Sequence, residues 1–439
     1  MQPAMSIRPQ RGTLERRASP LLAAAKASQR NLALLIGRLI ARVVVCGGVA
    51  SSWAADAAST VAVPVRAAPL AAPATEFGPA RLFMDNGARA AWSPARRRQR
   101  IAFDAVVDEN NRNMAVFTVD VDGNQRTCVT CATAVPNGFL GMMDWLPDGR
   151  HLLVSAENER SQHRRFNQPS FGVDNDLWLV SLDGRRVERI WRSPARGGAV
   201  LSARVDRTGK RLFFAERVAT GTPLPAALRR FGAWGEDVWA GWHLHVADID
   251  LRKRGEAVLR NHRVLQPNGP GFYEASGFAP DGALLYSFTP PGQRYSDDVW
   301  RIAREGATPE NLTLSPGSWD EHGLQSPDRR WMAFASSRFD PALRYPVADN
   351  ADLATELFLM REGGAPARAS AFNARPAATE VSPAVGPQAP PAATPMHGTA
   401  RWVVSRLAWS PDSRRLLMQV SQPDRSATPQ LWMLDLPRR

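Results

Sequence analysis

One short phrase recurs along this chain, and that recurrence limits the available folds more than any other feature. Ala91-Trp92-Ser93-Pro94, Asp144-Trp145-Leu146-Pro147-Asp148-Gly149 and Ala408-Trp409-Ser410-Pro411-Asp412 share an aromatic residue followed by a proline turn. Gly277-Phe278-Ala279-Pro280-Asp281-Gly282 and Gln325-Ser326-Pro327-Asp328 are variants of it, and Val205-Asp206-Arg207-Thr208-Gly209 is a degenerate copy between the second and the fourth. Self-similarity of this kind marks units that bury their apolar faces only by packing on one another.

The phrase has a turn chemistry. Proline fixes φ at a turn position, Asp bonds the backbone two residues on, and Gly takes the positive φ of a tight hairpin. Each copy precedes a short β-type run, at 101–103, 152–155, 212–215, 284–288, 332–335 and 416–420. A second run then carries an aromatic at one recurring place, as in Val116-Phe117, Leu177-Trp178, Val299-Trp300, Leu357-Phe358 and Leu431-Trp432. A fourth run follows in most units, for example at 127–130, 189–191 and 311–314. The pattern predicts an all-β, six-bladed β-propeller of four-stranded antiparallel blades. After residues 431–436 only Pro437, Arg438 and Arg439 remain, so the last blade lacks a fourth strand. The segment 76–84 is expected to supply it and close the ring, since propellers protect their edges.

These repeats resemble the TolB-like, WD40-like propeller family, whose unit has a Trp-Ser-Pro-Asp-Gly turn and a Tyr or Trp strand ending in Asp-Gly. The resemblance spans roughly residues 77–439, and Gly271-Phe272-Tyr273-Glu274 and Trp319-Asp320-Glu321-His322 resemble phrases of uncharacterised exported members. It implies a fold and leaves function open. No α/β domain is evident ahead of the propeller, which sets the chain apart from TolB itself.

Residues 1–57 read as an export leader. Arg8, Arg11, Arg16, Arg17, Lys26 and Arg30 precede an apolar stretch at 32–49 and small residues around Ala54, Ala55 and Ala57. Arg38 and Arg42 interrupt that stretch and make it a poor permanent span. An Ala/Pro linker, 58–75, leads into the propeller at 76–439. A periplasmic or secreted protein is expected, with membrane contact only through the leader. The formal charge of +13 invites a nucleic-acid reading, but the leader alone holds eight Arg and Lys against Glu15 and Asp56. The remaining arginines are scattered, with no basic run interleaved with aromatics, so no nucleic-acid partner is expected.

Catalytic signatures are few. No G-x-S-x-G, Walker-type or dinucleotide-binding glycine motif occurs. Cys46, Cys128 and Cys131 are the only cysteines, and a small-loop Cys128–Cys131 disulfide is favoured over a metal site. The inner strand of each blade runs into the turn phrase, so chemistry is sought just before it. Glu274 and Glu321 stand four residues before the aromatic position in adjacent blades; one place later stand His322, Arg406 and Arg89. Tyr273, Asp320, Asp144 and Arg204 are further candidates. In regular strands the two rows point to opposite faces. Two readings stay open: a polar pocket for a metal or an anionic ligand, or salt bridges that tie blades together. No cofactor is assigned.

Long loops are expected on one rim, where binding function usually lives. They are 156–175 with His163, Arg164 and Arg165, 216–242 with Arg229, Arg230, Trp234 and Trp239, and a Pro-rich insertion at about 365–399, expected to be largely disordered. The favoured function is an exported binding or scaffold module for a protein, peptide or glycan on that rim. The rival is a metal-assisted lyase or hydrolase of acidic sugars, because Trp319-Asp320-Glu321-His322 resembles the metal-site region of oligogalacturonate lyases.

Overall fold

The recurring phrase works as a local hydrogen-bond device. In Ser410-Pro411-Asp412 the Ser410 hydroxyl donates to Asp412 Oδ1 at 2.6 Å and accepts from the Arg415 amide at 2.9 Å. Ser326 does the same with Asp328 and Trp331. The aromatic residue joins neighbouring units: the Trp145 indole donates to the Ala91 carbonyl and the Trp409 indole to the Leu324 carbonyl, each at 3.0 Å. Each turn therefore ends one inner strand and starts the next strand, and in blades two and six the tryptophan also grips the preceding blade.

A computed structural model describes residues 76–437 apart from 96–97, 109–112, 162–171, 194–197, 219–239, 252–255, 294–295, 341–352, 374–400 and 424–427. The leader, the linker, His163, Arg164, Arg165, Arg229, Arg230, Trp234 and Trp239 lie outside the described residues, as does most of the Pro-rich insertion.

Strand β1, Arg81–Met84, comes first, followed by blade one with β2 Ala88–Trp92, β3 Arg100–Asp108, β4 Asn113–Asp120 and β5 Thr127–Cys128. Blade two has β6 Leu140–Trp145, β7 His151–Glu157, β8 Asn175–Ser181 and β9 Val187–Trp191; blade three has β10 Ala199–Val205, β11 Arg211–Arg217, β12 Trp242–Asp250 and β13 Val258–Leu265. Blade four has β14 Phe272–Phe278, β15 Leu284–Thr289, β16 Asp298–Ile302 and β17 Glu310–Asn311; blade five has β18 Asp320–Gln325, β19 Met332–Ser336, β20 Glu356–Met360 and β21 Ala367–Arg368. Blade six has β22 Val403–Trp409, β23 Arg415–Ser421 and β24 Gln430–Asp435. The result is six antiparallel four-stranded sheets, and the described residues contain no helix.

Three expected loops change their bounds, and the one expected over 156–175 is shorter at both ends, since Ala156 and Glu157 belong to β7 and Asn175 opens β8. The Pro-rich insertion does not begin near 365, because Ala367 and Arg368 pair with Leu359 and Phe358, and Arg368 reaches Glu356 at 2.9 Å. The loop expected over 216–242 is shorter at both ends, since Glu216 and Arg217 belong to β11 and Trp242 opens β12.

The core lies between blades. Among the described residues six apolar clusters occur, one for each neighbouring pair. The pair formed by blades six and one is filled by Ala90, Trp92, Ile101 and Phe103 against Ala408, Leu417, Leu431 and Met433. Inner strands β2, β6, β10, β14, β18 and β22 each pack beside the inner strands on either side, and β2 sits beside β22. The blades thus form a ring around a central channel. In the sixth sheet β1 lies antiparallel to β24, Arg81 opposite Met433 and Leu82 opposite Trp432.

Candidate functional site in the central channel

Five of the six inner strands carry the same irregularity. In blades one, two, three, five and six, two residues of the inner strand stand opposite one residue of its neighbour, at 89–90, 142–143, 202–203, 322–323 and 406–407. The first residue of each pair is left-handed: Arg89 has φ 44°, Met142 51°, Ser202 53°, His322 60° and Arg406 49°. Such bulges re-aim side chains and occur beside functional sites, and non-glycine residues hold this conformation at a cost in free energy. Alternation alone would set His322 and Glu321 on opposite faces. The bulge instead brings His322 Nε2 to 3.1 Å from Glu321 Oε2.

Glu274 of β14 completes the group. His322 Nδ1 is 3.9 Å from Glu274 Oε1, and one ligand atom from each of Glu274, Glu321 and His322 fits within a 4.8 Å span. The two carboxyls are in hydrogen-bonding reach of each other, which requires a proton between them. Arg406 crosses from blade six to donate to Glu274 and, at 2.7 Å, to the Ser202 hydroxyl of blade three; Ser202 donates to Glu274 at 2.6 Å. The Ser287 hydroxyl accepts the His322 amide at 3.3 Å. All three candidate ligands are buried, with Glu274 only 3% exposed.

Burial sets the protonation. It raises the pKa of both glutamates, with Arg406 opposing, and it pushes His322 down to about 3, assisted by the Arg406 charge. Asp297, buried beside them, accepts the Trp319 indole at 3.1 Å and is raised well above the ordinary carboxylate range by burial and by Glu321. Arg204 faces Asp144, whose oxygens also accept the Trp145 and Val205 amides. Four carboxyls, Asp144, Glu274, Asp297 and Glu321, are therefore matched by two guanidiniums, those of Arg204 and Arg406. The deficit is made good by protons or by a cation. Two carboxylates and a neutral imidazole suit a divalent ion of the Mn2+ or Zn2+ kind.

The other candidates stand elsewhere. Tyr273 points to the opposite face from Glu274, packs against Phe288, and exchanges hydrogen bonds with Asn268 and Gly269. Asp320, on the face opposite Glu321, is held by Ser315, Ser336 and Arg338. Arg89 pairs with Asp104 and lies 4.7 Å over the Phe139 ring. Cys128 and Cys131 are joined as a disulfide in blade one, with Cα atoms 5.8 Å apart.

No family model matches the chain, and no curated protein matches it. Solved structures do. A putative TolB from Agrobacterium tumefaciens is similar at 14% identity over 72% of this chain and 95% of that one, with a TM-score of 0.36. An oligogalacturonate lyase from Vibrio parahaemolyticus is similar at 9% identity over 84% and 93%, TM-score 0.40. A Trypanosoma rangeli sialidase is similar at 10% identity over 80% and 55%, TM-score 0.43. At such values the likeness carries no argument. The chain is a six-bladed propeller by its own strand order.

Proposed function

We propose that the protein is an exported ligand-binding propeller whose channel holds a divalent cation at Glu274, Glu321 and His322. The observation that carries this reading is the convergence of two carboxylates and a neutral imidazole within 4.8 Å, in a group where carboxyls outnumber cations. The proton between the two glutamates marks the place of the ion. Bound there, it would offer an open coordination position to an acidic group on a protein, peptide or glycan that reaches the channel from the long-loop rim, while Arg406 and Arg204 supply positive charge beside it. Export rests on the leader.

Titration calorimetry with Mn2+, run in two buffers of different ionisation enthalpy, tests the site. The expected result is one ion bound with release of protons from the glutamates. Glu321→Gln should fold and lose at least tenfold in affinity. Binding absent from the wild-type chain, or unchanged in Glu321→Gln, would contradict the reading.

The neutral His322 favours a second reading, in which the same centre is a metal-assisted lyase or hydrolase of acidic sugars. With its pKa at about 3, His322 is too weak a base to take the proton itself and would serve as a neutral ligand to the ion, which would supply Lewis acidity. Mn2+-loaded protein would then cleave polygalacturonate, and His322→Gln would abolish cleavage while keeping the fold. A loaded protein without cleavage leaves the binding function alone.

A further inference from the structure

Blade three carries a second group of titratable side chains, on its outer strands and apart from the channel. His243 and His245 stand two residues apart on β12 and so share a face. Glu216 of β11 lies opposite His243 in the register, and Phe214 opposite His245. From the outermost strand His262 reaches back until its Nε2 is 2.6 Å from His245 Nδ1. The register slips there, between Val246 and Asp248, and Asn261 beside His262 is left-handed with φ 48°. Once again a bulge aims a histidine.

The other side of His245 is also built. Its Nε2 is 3.5 Å from Glu216 Oε2 and makes no hydrogen bond in its present geometry, although His245 is only 3% exposed. Glu216 Oε1 accepts the Trp191 indole N–H at 2.7 Å, which fixes the carboxylate from blade two. The Trp191 ring centroid lies 4.8 Å from that of His262, and Phe214 lies 5.0 Å from His245. Aromatic walls thus hold both imidazole planes.

We propose that His245 Nδ1 and His262 Nε2 bind a divalent, imidazole-preferring transition-metal ion, with Glu216 as a positioning residue behind His245. Imidazole ligands to metals ordinarily pass their second ring N–H to a carboxylate, which fixes tautomer and orientation. Glu216 stands where that carboxylate belongs. Two imidazole nitrogens about 2.0–2.1 Å from a tetrahedral ion lie roughly 3.3 Å apart, so the present pair must open by about 0.7 Å. His262 is exposed on the outermost strand and can make that movement and exchange its tautomer with solvent. His243 is close enough for its charge to bear on His245. Nitrogen donors select Cu2+, Ni2+ or Zn2+ over the oxygen-seeking Mg2+ and Ca2+.

The test is Cu2+ binding to the untagged full chain, followed by electron paramagnetic resonance in a Glu321→Gln background that removes the channel glutamate. We expect one Cu2+ with splitting from at least two imidazole nitrogens. Adding His262→Gln, an exposed substitution that leaves the metal-free melting temperature unchanged, should remove one nitrogen and lower affinity at least tenfold. Adding Glu216→Gln should keep the nitrogen count and weaken binding by about tenfold to a hundredfold. If His262→Gln leaves both affinity and nitrogen count unchanged, the proposal is overturned, and so it is if no Cu2+ binds. Neither result bears on the channel site, which this inference does not use.

Discussion

At the residue scale, single backbone positions explain features that composition alone hides. The turn phrase ends in glycine in three copies, and Gly149, Gly209 and Gly282 all take positive φ. In the fifth and sixth copies the same turn is made by Arg329, φ 67°, and Ser413, φ 60°. Arg329→Gly should therefore stabilise the chain by roughly 0.5–1 kcal/mol, read as a raised denaturation midpoint. Ser413→Gly should gain less, because the Ser413 hydroxyl also accepts the Asp328 amide at 3.0 Å. His322 gives a prediction of opposite character. Its imidazole ordinarily takes a proton near 6.5 in the unfolded chain but is held at about 3 in the fold by burial and Arg406. The unfolded state thus binds the extra proton, so stability present above pH 6.5 is lost as pH falls towards 3, by up to about 1.4 kcal/mol per unit. Urea midpoints in chelator between pH 7 and 5 should show this slope, and His322→Gln should flatten it despite the neighbouring Arg204, Glu274 and Glu321. An equal slope in the variant would place the acid sensitivity elsewhere.

Elements show what the sequence made legible and why some of it stayed hidden. Blades one, two, four, five and six announce themselves because their turns carry proline and their third strands carry the aromatic pair. Blade three does neither: its turn is Val205-Asp206-Arg207-Thr208-Gly209, and Trp242 opens its third strand after a long insertion. That degeneracy concealed Ser202, which stands three residues before Val205 just as Arg406 stands three before Trp409, and which bonds both Glu274 and Arg406. Asp297 was hidden for another reason, since it precedes the third strand of its blade and no inner-strand rule reaches it. Glu274, Glu321, His322 and Arg406 are legible as candidates, and the two glutamates as neighbours at one depth in adjacent blades, but His322 on the same face as Glu321 is not, because a bulge is a two-for-one defect that alternation cannot forecast. Strand β1 allows a further test. Deleting residues 76–84 would expose the β24 edge and uncover Trp432, so we expect a lower melting temperature and self-association in sedimentation. A truncated chain as stable and as monomeric as the full one would show that blade six does not need this strand.

At the scale of the whole molecule, a ring of separate blades brings chemistry together that is far apart in the chain. Arg406 and Ser202 are 204 positions apart and meet across the channel. Burial makes that meeting consequential. Glu274→Ala would leave Arg406, whose side chain is 16% exposed, without its carboxylate, at a cost of up to about 3–5 kcal/mol, so loss of binding in that variant would be confounded with loss of fold. Glu321→Gln avoids the problem by keeping shape and hydrogen-bonding capacity. The measurement that decides most directly is anomalous diffraction from crystals equilibrated with Mn2+, collected on wild-type and Glu321→Gln protein. The account predicts an anomalous peak within bonding distance of Glu274, Glu321 and His322 in the wild type, and its loss in the variant. A channel with no peak at saturating Mn2+ and Arg406 still seated on Glu274 would contradict it.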